Sequence, residues 1–310
     1  MISSAVILSA LELGCIYALV ALALFLSYKT LNIADMTTDG CFVLGTAVSV
    51  TMAAAGHPFL AIPAAMAAGV CAGFVTAFQQ TRLGVPSILA GIVTNMGLYT
   101  INLMVMKWSA NVSLLKTATI FTLFQQTGIG GQWYEALLAG TVVILAGVLL
   151  VLFLGTRLGL SIRATGDNID MVRASSVNPT FTITVGLCVA NALTALSGAM
   201  VGQYQNTADI NGGTGIVVIG LACLIIGETV LGRRSVVKGA VAAVLGSIIY
   251  RFIYAIVLYT KIMPVQGLKL VTAVIVALAI AFPTIRSWAA FQKRKNAAHR
   301  KAQTGKGGRQ

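Results

Sequence analysis

The fold predicted from the sequence is all-α: a polytopic transmembrane helical bundle of about 8–10 spans with an inverted internal repeat. Three observations predict it. The 310 residues are 57% hydrophobic and only 9% charged, where a soluble domain is about a quarter charged. A chain this apolar cannot cover itself with polar surface, so lipid must be its solvent. Apolar runs, most of them free of charge, recur at lengths suited to a hydrocarbon core that needs about 20 residues per helix. Finally, one short polar motif occurs twice, each time between a long apolar run and a short one.

The runs fall at about 5–26, 42–55, 60–78, 87–106, 136–155, 181–204, 216–231, 236–258 and 268–285. Those after Gly40 and Gly215 are short for a full crossing and read as tilted, broken or partly re-entrant. Abundant glycine, 32 residues, suits closely packed membrane helices. The N-terminus has no basic stretch before its first apolar run, and Glu12 lies inside that run, so the first segment is expected to be a retained helix. The five cysteines lie in or beside apolar runs without metal-ligand spacing and read as packing residues. His57 and His299 have no neighbours that point to catalysis.

Charge gives the expected topology. With nine crossings, one side receives Lys29, Arg82, Arg157, Arg163, Arg173, Arg233, Arg234, Lys238 and the eight Lys and Arg residues of the tail. The other receives Lys107, Lys116, Lys261 and Lys269. Basic loops stay inside, which places the N-terminus outside and the C-terminus in the cytoplasm of a cell whose inner or plasma membrane holds the protein. The domain reading is a membrane domain over 1–286, with repeat one at about 5–106, a connecting span at 136–155 and repeat two at about 181–285. A basic tail over 287–310 reads as an anchor near anionic lipid rather than a nucleic-acid site.

The repeated motif is Asn32-Ile33-Ala34-Asp35 before Gly40, and Asn206-Thr207-Ala208-Asp209 before Gly215. Four spans, one connector and four spans give the two copies opposite orientations. Inverted repeats of this kind place a solute path at their interface near the midplane. Asn32, Asp35, Asn95, Asn206, Asp209 and Gly213 are therefore the candidate path-lining or gating residues. Thr38 and Asp39 read as caps for the helix they open. The glycines before residue 216 suit close backbone approach, and the helix that follows favours an anion; a solute carboxylate and a plain flexible break both fit. Inside the spans stand Glu12, Thr94, Asn95, Asn102, Asn191, Gln203, Glu228 and Arg251. Such groups face protein or a water-filled path, and pairing of Glu228 with Arg251 is open.

The 157–179 loop is the most informative polar stretch. Asp167 is expected to cap a short helix, Asp170 to add charge to its first turn, Ile169 and Val172 to share a face, and Pro179 to end it. A short amphipathic helix there can lie on lipid or dock a soluble partner. The chain has no Gly-x-x-x-x-Gly-Lys-Ser/Thr phosphate loop, His-Glu-x-x-His motif or catalytic Ser/His/Asp set. It reads as no enzyme and as needing no cofactor of its own.

The segment Gly159…Arg163-Ala164-Thr165-Gly166-Asp167-Asn168…Arg173-Ala174-Ser175-Ser176-Val177-Asn178 resembles the ATPase-coupling loop of the branched-chain amino acid and ribose-type permeases of bacterial ABC importers. Leu31-Asn32-Ile33-Ala34-Asp35…Asp39-Gly40 resembles that family's first polar loop. Ile225-Ile226-Gly227-Glu228…Leu231-Gly232-Arg233-Arg234-Ser235 with Gly246-Ser247-Ile248-Ile249-Tyr250-Arg251 looks like a subgroup whose binding proteins deliver amino acids, aromatic ones among them. Thr37-Thr38-Asp39-Gly40 departs from the histidine-glycine-glutamate pattern of the amino acid branch, which argues against a branched-chain solute.

The resemblance implies alternating access between two permease copies, expected to be identical. It also implies a cytoplasmic ATP-binding subunit and an extracytoplasmic substrate-binding protein, with ATP used by the partner. Arg163, Gly166, Asp167, Asn168, Arg173, Ala174 and Asn178 would form or position the coupling helix. A ribose-like sugar or nucleoside permease is the near alternative. An ATP-independent transporter or channel would need intramembrane acidic or histidine relays, of which few are present.

Overall fold

The structure is a computed structural model that describes residues 4–259 apart from 115–116, 127, 129–130 and 233–234, together with positions 270, 272–278, 281 and 292. It forms two compact units, Met1–Ile262 and Met263–Gln310. In the second, the described positions 270, 272–278, 281 and 292 are helical; half of the expected run at 268–285 lies outside the described residues.

In the first unit the elements run α1 (Ser4–Leu24), a π-helical turn (Phe25–Thr30), α2 (Thr38–Ala54), α3 (Pro58–Thr81), α4 (Ser87–Val105), β1 (Asn111–Ser113), α5 (Ile120–Gln126), α6 (Tyr134–Gly155), α7 (Arg157–Asp167), α8 (Ile169–Ala174), α9 (Pro179–Gln205), β2 (Thr207–Asp209), α10 (Ile216–Leu231) and α11 (Val236–Tyr259). Among the described residues, six helices are long and apolar enough to cross a membrane: α1 with its π turn, α3, α4, α6, α9 and α11. Helices α2 and α10 are apolar but shorter, at 17 and 16 residues. The protein is an all-α polytopic bundle, as the composition requires. A two-stranded antiparallel ribbon, β1 on β2 with Asn111 opposite Asp209, is an addition that three-residue strands leave no periodicity to announce.

Helix α9 is the axis of the bundle, with most of its C-terminal half buried. It runs antiparallel to α1: Ser197 Oγ donates to the Ile16 carbonyl at 2.8 Å, and Glu12 accepts from the Tyr204 hydroxyl at 2.8 Å. It runs parallel to α2, whose Thr46 and Ser49 hydroxyls donate to the carbonyls of Gly198 and Ala199 at 3.0 and 3.1 Å. Near its C-terminal turn Gln203 donates to both Ser49 Oγ and the Pro58 carbonyl at 3.0 Å. Lipid supplies no hydrophobic drive between helices, so close packing and such bonds hold them together. Gly45 and Gly198 make the approach of α2 to α9 possible, since a methyl on either would meet backbone of the other helix.

Helices α10 and α11 meet the same way. A methyl on Gly227 would strike the Ala242 carbonyl, and one on Gly246 the Cys223 carbonyl. Gly227→Val is expected to cost about 2 kcal/mol by overpacking a backbone contact that cannot yield. It should lower the thermal midpoint in detergent, whereas Gly140→Ala, with open space around it, should not. Equal midpoints would show that the contact is not tight.

Candidate functional site

The two Asn-x-Ala-Asp segments share one local structure. Asn32 and Asn206 both take the left-handed conformation, φ 57° and 56°, just past a long helix. Asparagine tolerates that region better than other side chains with a Cβ. Three residues on, Asp35 Oδ1 accepts the Thr37 amide and Asp209 Oδ1 accepts the Asn211 amide, each at 2.9 Å. Each is an aspartate turn that redirects the chain. The segments lie at opposite ends of the bundle. Leu31 lies against Gly166 of α7, while the Asn206 carbonyl accepts the Leu114 amide beside β1 at 2.8 Å.

From these ends the chain turns inward. The first segment climbs to α2, which begins beside Asn191, close to the midpoint of the 27-residue α9. There Asn191 Nδ2 donates to Asp35 Oδ2 at 2.7 Å, and Cys41 Sγ donates to the Asn191 carbonyl at 3.2 Å. The second segment descends from β2 to α10, which starts at the same level. Asp39, in the first turn of α2, reaches across. Its Oδ2 accepts the Gly215 amide at 3.0 Å and its Oδ1 accepts the Val217 amide at 2.9 Å.

Asp39 therefore caps α10 and not its own helix, correcting the local reading. The same contacts occupy the amides that a solute carboxylate at the start of α10 would need. The N-termini of two half-helices, entering from opposite ends, are joined by one carboxylate where the helix dipole favours negative charge.

Beside this junction lies a cavity of about 410 Å³ lined by Asp39, Asn95, Tyr99, Asn102, Asn211 and Gly213, among others. Asn102 Nδ2 donates to the Gly40 carbonyl at 3.1 Å and ties α4 to α2. Met96 and Tyr99 are exposed at its rim. Of the candidate path-lining or gating residues, Asn95 and Gly213 line this cavity. Asp35 is buried under the junction, bonded to Asn191. Asn32, Asn206 and Asp209 are exposed at the two ends, away from it. Asp39 was expected only as a cap and Asn102 only as a polar group inside a span, and Tyr99 was not singled out. Asn95, Tyr99 and Asn102 are spaced four and three apart, one stripe of a helix, and that polar stripe in an apolar run is the signal that would have found them.

The 157–179 stretch holds two helices rather than one. α7 continues through Asp167, so Asn168 is the cap of α8; its Oδ1 accepts the amides of Asp170 and Met171, both at 3.0 Å. Val172 is buried, whereas Ile169 and Met171 are exposed, so Ile169 and Val172 do not share a buried face. Arg173 is 3.7 Å from Asp170 on the exposed side, and Ala174 closes the helix. Pro179 opens α9 instead of ending α8, with Asn178 Oδ1 capping α9 through the Thr180 amide at 3.0 Å.

Gly166 lies against the Thr30 carbonyl and Leu31, where the first inward segment begins. Arg163 and Asp167 line a second, 290 Å³ cavity with Lys29 and Glu228. Glu228 pairs with Lys29 at 3.3 Å, not with Arg251, which stacks its guanidinium 3.7 Å over the Tyr17 ring.

A bundle of crossing helices, with two broken ones that enter from opposite ends and meet beside a central polar cavity, defines the class: a solute permease of the membrane. The chain belongs to the family described as branched-chain amino acid transport system / permease component, whose model matches residues 6–283. It is thus the permease component of an ABC transporter for small solutes, a multi-pass membrane protein and not an enzyme. It is 31% identical over 276 residues to a tyrosine transport system permease protein of Clostridioides difficile (strain R20291), covering 89% of this chain and 90% of the relative. It is 29% identical over 280 residues to an uncharacterized protein of Rickettsia prowazekii (strain Madrid E), covering 89% and 97%. No solved structure matches it.

Proposed function

We propose that this chain is one of two identical permease subunits of an importer for an amino acid, aromatic ones included, and that it works by alternating access driven by a separate ATPase. The Asp39 junction carries this reading: two half-helices that face opposite ends and share one carboxylate are a bistable element both sides can move. The cavity with Asn95 and Tyr99 is then half of the path, completed across the exposed rim by the second copy. The tyrosine permease relative favours an aromatic solute. In this reading the basic end with α7 and α8 is cytoplasmic and the N-terminus is outside. The exposed α8 enters the ATPase, and an extracytoplasmic binding protein delivers solute to the β1–β2 end.

The test is tyrosine uptake into vesicles holding this chain, its ATPase and its binding protein. Uptake should require ATP and all three components. Met171→Asp, at the most exposed apolar position of α8, should weaken ATPase copurification and uptake together by about tenfold, the scale of losing one buried apolar anchor. Uptake by the chain alone, indifferent to nucleotide, would overturn the reading.

A further inference from the structure

A third cavity lies far from the Asp39 junction. It is a cleft of about 680 Å³ between α3, α6 and α9, and its walls are almost wholly carbon, from Met66 and Val70 across to Leu149 and Phe153. Water is a poor occupant, since an ordered water needs two to four polar partners. The hydroxyl of Thr184, at one end, is already spent on the Thr180 carbonyl at 2.7 Å. Whatever fills the cleft is apolar.

Its shape fits a chain rather than a compact body. Along α9 it extends from Thr184 to Leu196, a rise of about 18 Å, close to the roughly 15 Å of one leaflet's hydrocarbon. The end at Thr184 and Phe153 is the α7 end. There α6 stops at Gly155 and α7 begins with Arg157, Leu158 and Leu160, all exposed. Exposed leucines beside an exposed arginine are the pattern of a helix lying in the headgroup layer. Among the described residues no carboxylate pairs with Arg157. A second copy of the chain is a poorer occupant. The cleft takes the Cys188–Ala192 side of α9, whereas α2 and the rim cavity lie beyond its Asn191–Gly198 side.

We propose that this cleft binds one acyl chain of an anionic phospholipid, with the headgroup held at Arg157 in the leaflet on the α7 side. The site does not depend on the solute or on the coupling assignment.

The experiment places the full chain in phosphatidylcholine vesicles doped with phosphatidylglycerol that carries a photoreactive acyl chain. The α9 peptide containing Cys188 should be labelled, and excess plain phosphatidylglycerol should suppress that label where excess phosphatidylcholine does not. Arg157→Gln should erase the headgroup preference. Ala192→Phe, which fills the cleft, should lose the α9 label while the exposed face of α11 around Val237 and Val241 keeps its own. If α9 is labelled no differently from α11, whatever the headgroup, the cleft is only ordinary lipid contact and the proposal falls. It falls equally if oxidation links Cys188 of two copies.

Discussion

Asp39→Ala is expected to abolish ATP-driven uptake and to destabilise the protein in detergent. The carboxylate, half-buried beside the central cavity, takes two amides at the start of α10. Losing two charge-assisted bonds and leaving their donors unsatisfied costs about 4 kcal/mol. The helix dipole adds its share, because α10 has no acidic residue in its own first turn and Asp39 supplies the negative charge there. Asp39→Asn keeps the shape and one good acceptor, so it should fall between wild type and alanine in both thermal midpoint and uptake. Asp209→Ala is the matched control. It removes the aspartate that corresponds to Asp35 in the other segment, which is exposed and holds only its own turn, and should stay within about 0.5 kcal/mol of wild type. An Asp39→Ala protein with wild-type uptake and midpoint would show that the two half-helices do not depend on this bridge.

The same residue shows where the sequence was legible and where it was not. The long spans are written in uncharged runs, and each predicted run within residues 4–259 matches a helix to within a few residues. The two short runs, 42–55 and 216–231, were legible as short for a full crossing, though not which of tilted, broken or re-entrant they would be, and they form helices of 17 and 16 residues. The Asn-x-Ala-Asp repeat was legible because both copies need the same turn, and the turn needs those side chains. What Asp39 bonds was not legible. A capping residue is read against the helix it precedes, but its amides lie 176 and 178 residues away.

Two other differences have the same origin. Glu228 finds Lys29 and not Arg251 because α10 and α11 pack antiparallel with Gly227 on Ala242 and Cys223 on Gly246, which leaves Arg251 at a level well past Glu228, and no apolar pattern encodes that register. The cap of α8 moves from Asp167 to Asn168 because α7 continues one residue further, and α7 is held in place by packing against Thr30 and Leu31.

That packing sets the second large effect. Gly166→Val is expected to abolish ATP-driven uptake while leaving ATPase copurification intact. A side chain at Gly166 would collide with the Thr30 carbonyl and the Leu31 backbone, neither of which can rotate away. Leu31 opens the inward segment that leads through Asp35 to Asp39, so α7 bears directly on the strut beneath the junction. The exposed Met171 and Arg173, which the proposed docking on the ATPase would use, sit on α8 and are separate from this contact. Overpacking a rigid backbone contact costs about 1–3 kcal/mol, enough to reset a two-state element whose states differ by a few kcal/mol but not to unfold a bundle. The expected signature is a complex that assembles and hydrolyses ATP without moving solute, against Met171→Asp, which weakens assembly itself. If Gly166→Val instead transports normally, movement of α7 is not passed through Leu31. If it loses the ATPase, α7 and α8 act as one docking surface and the division between them is wrong.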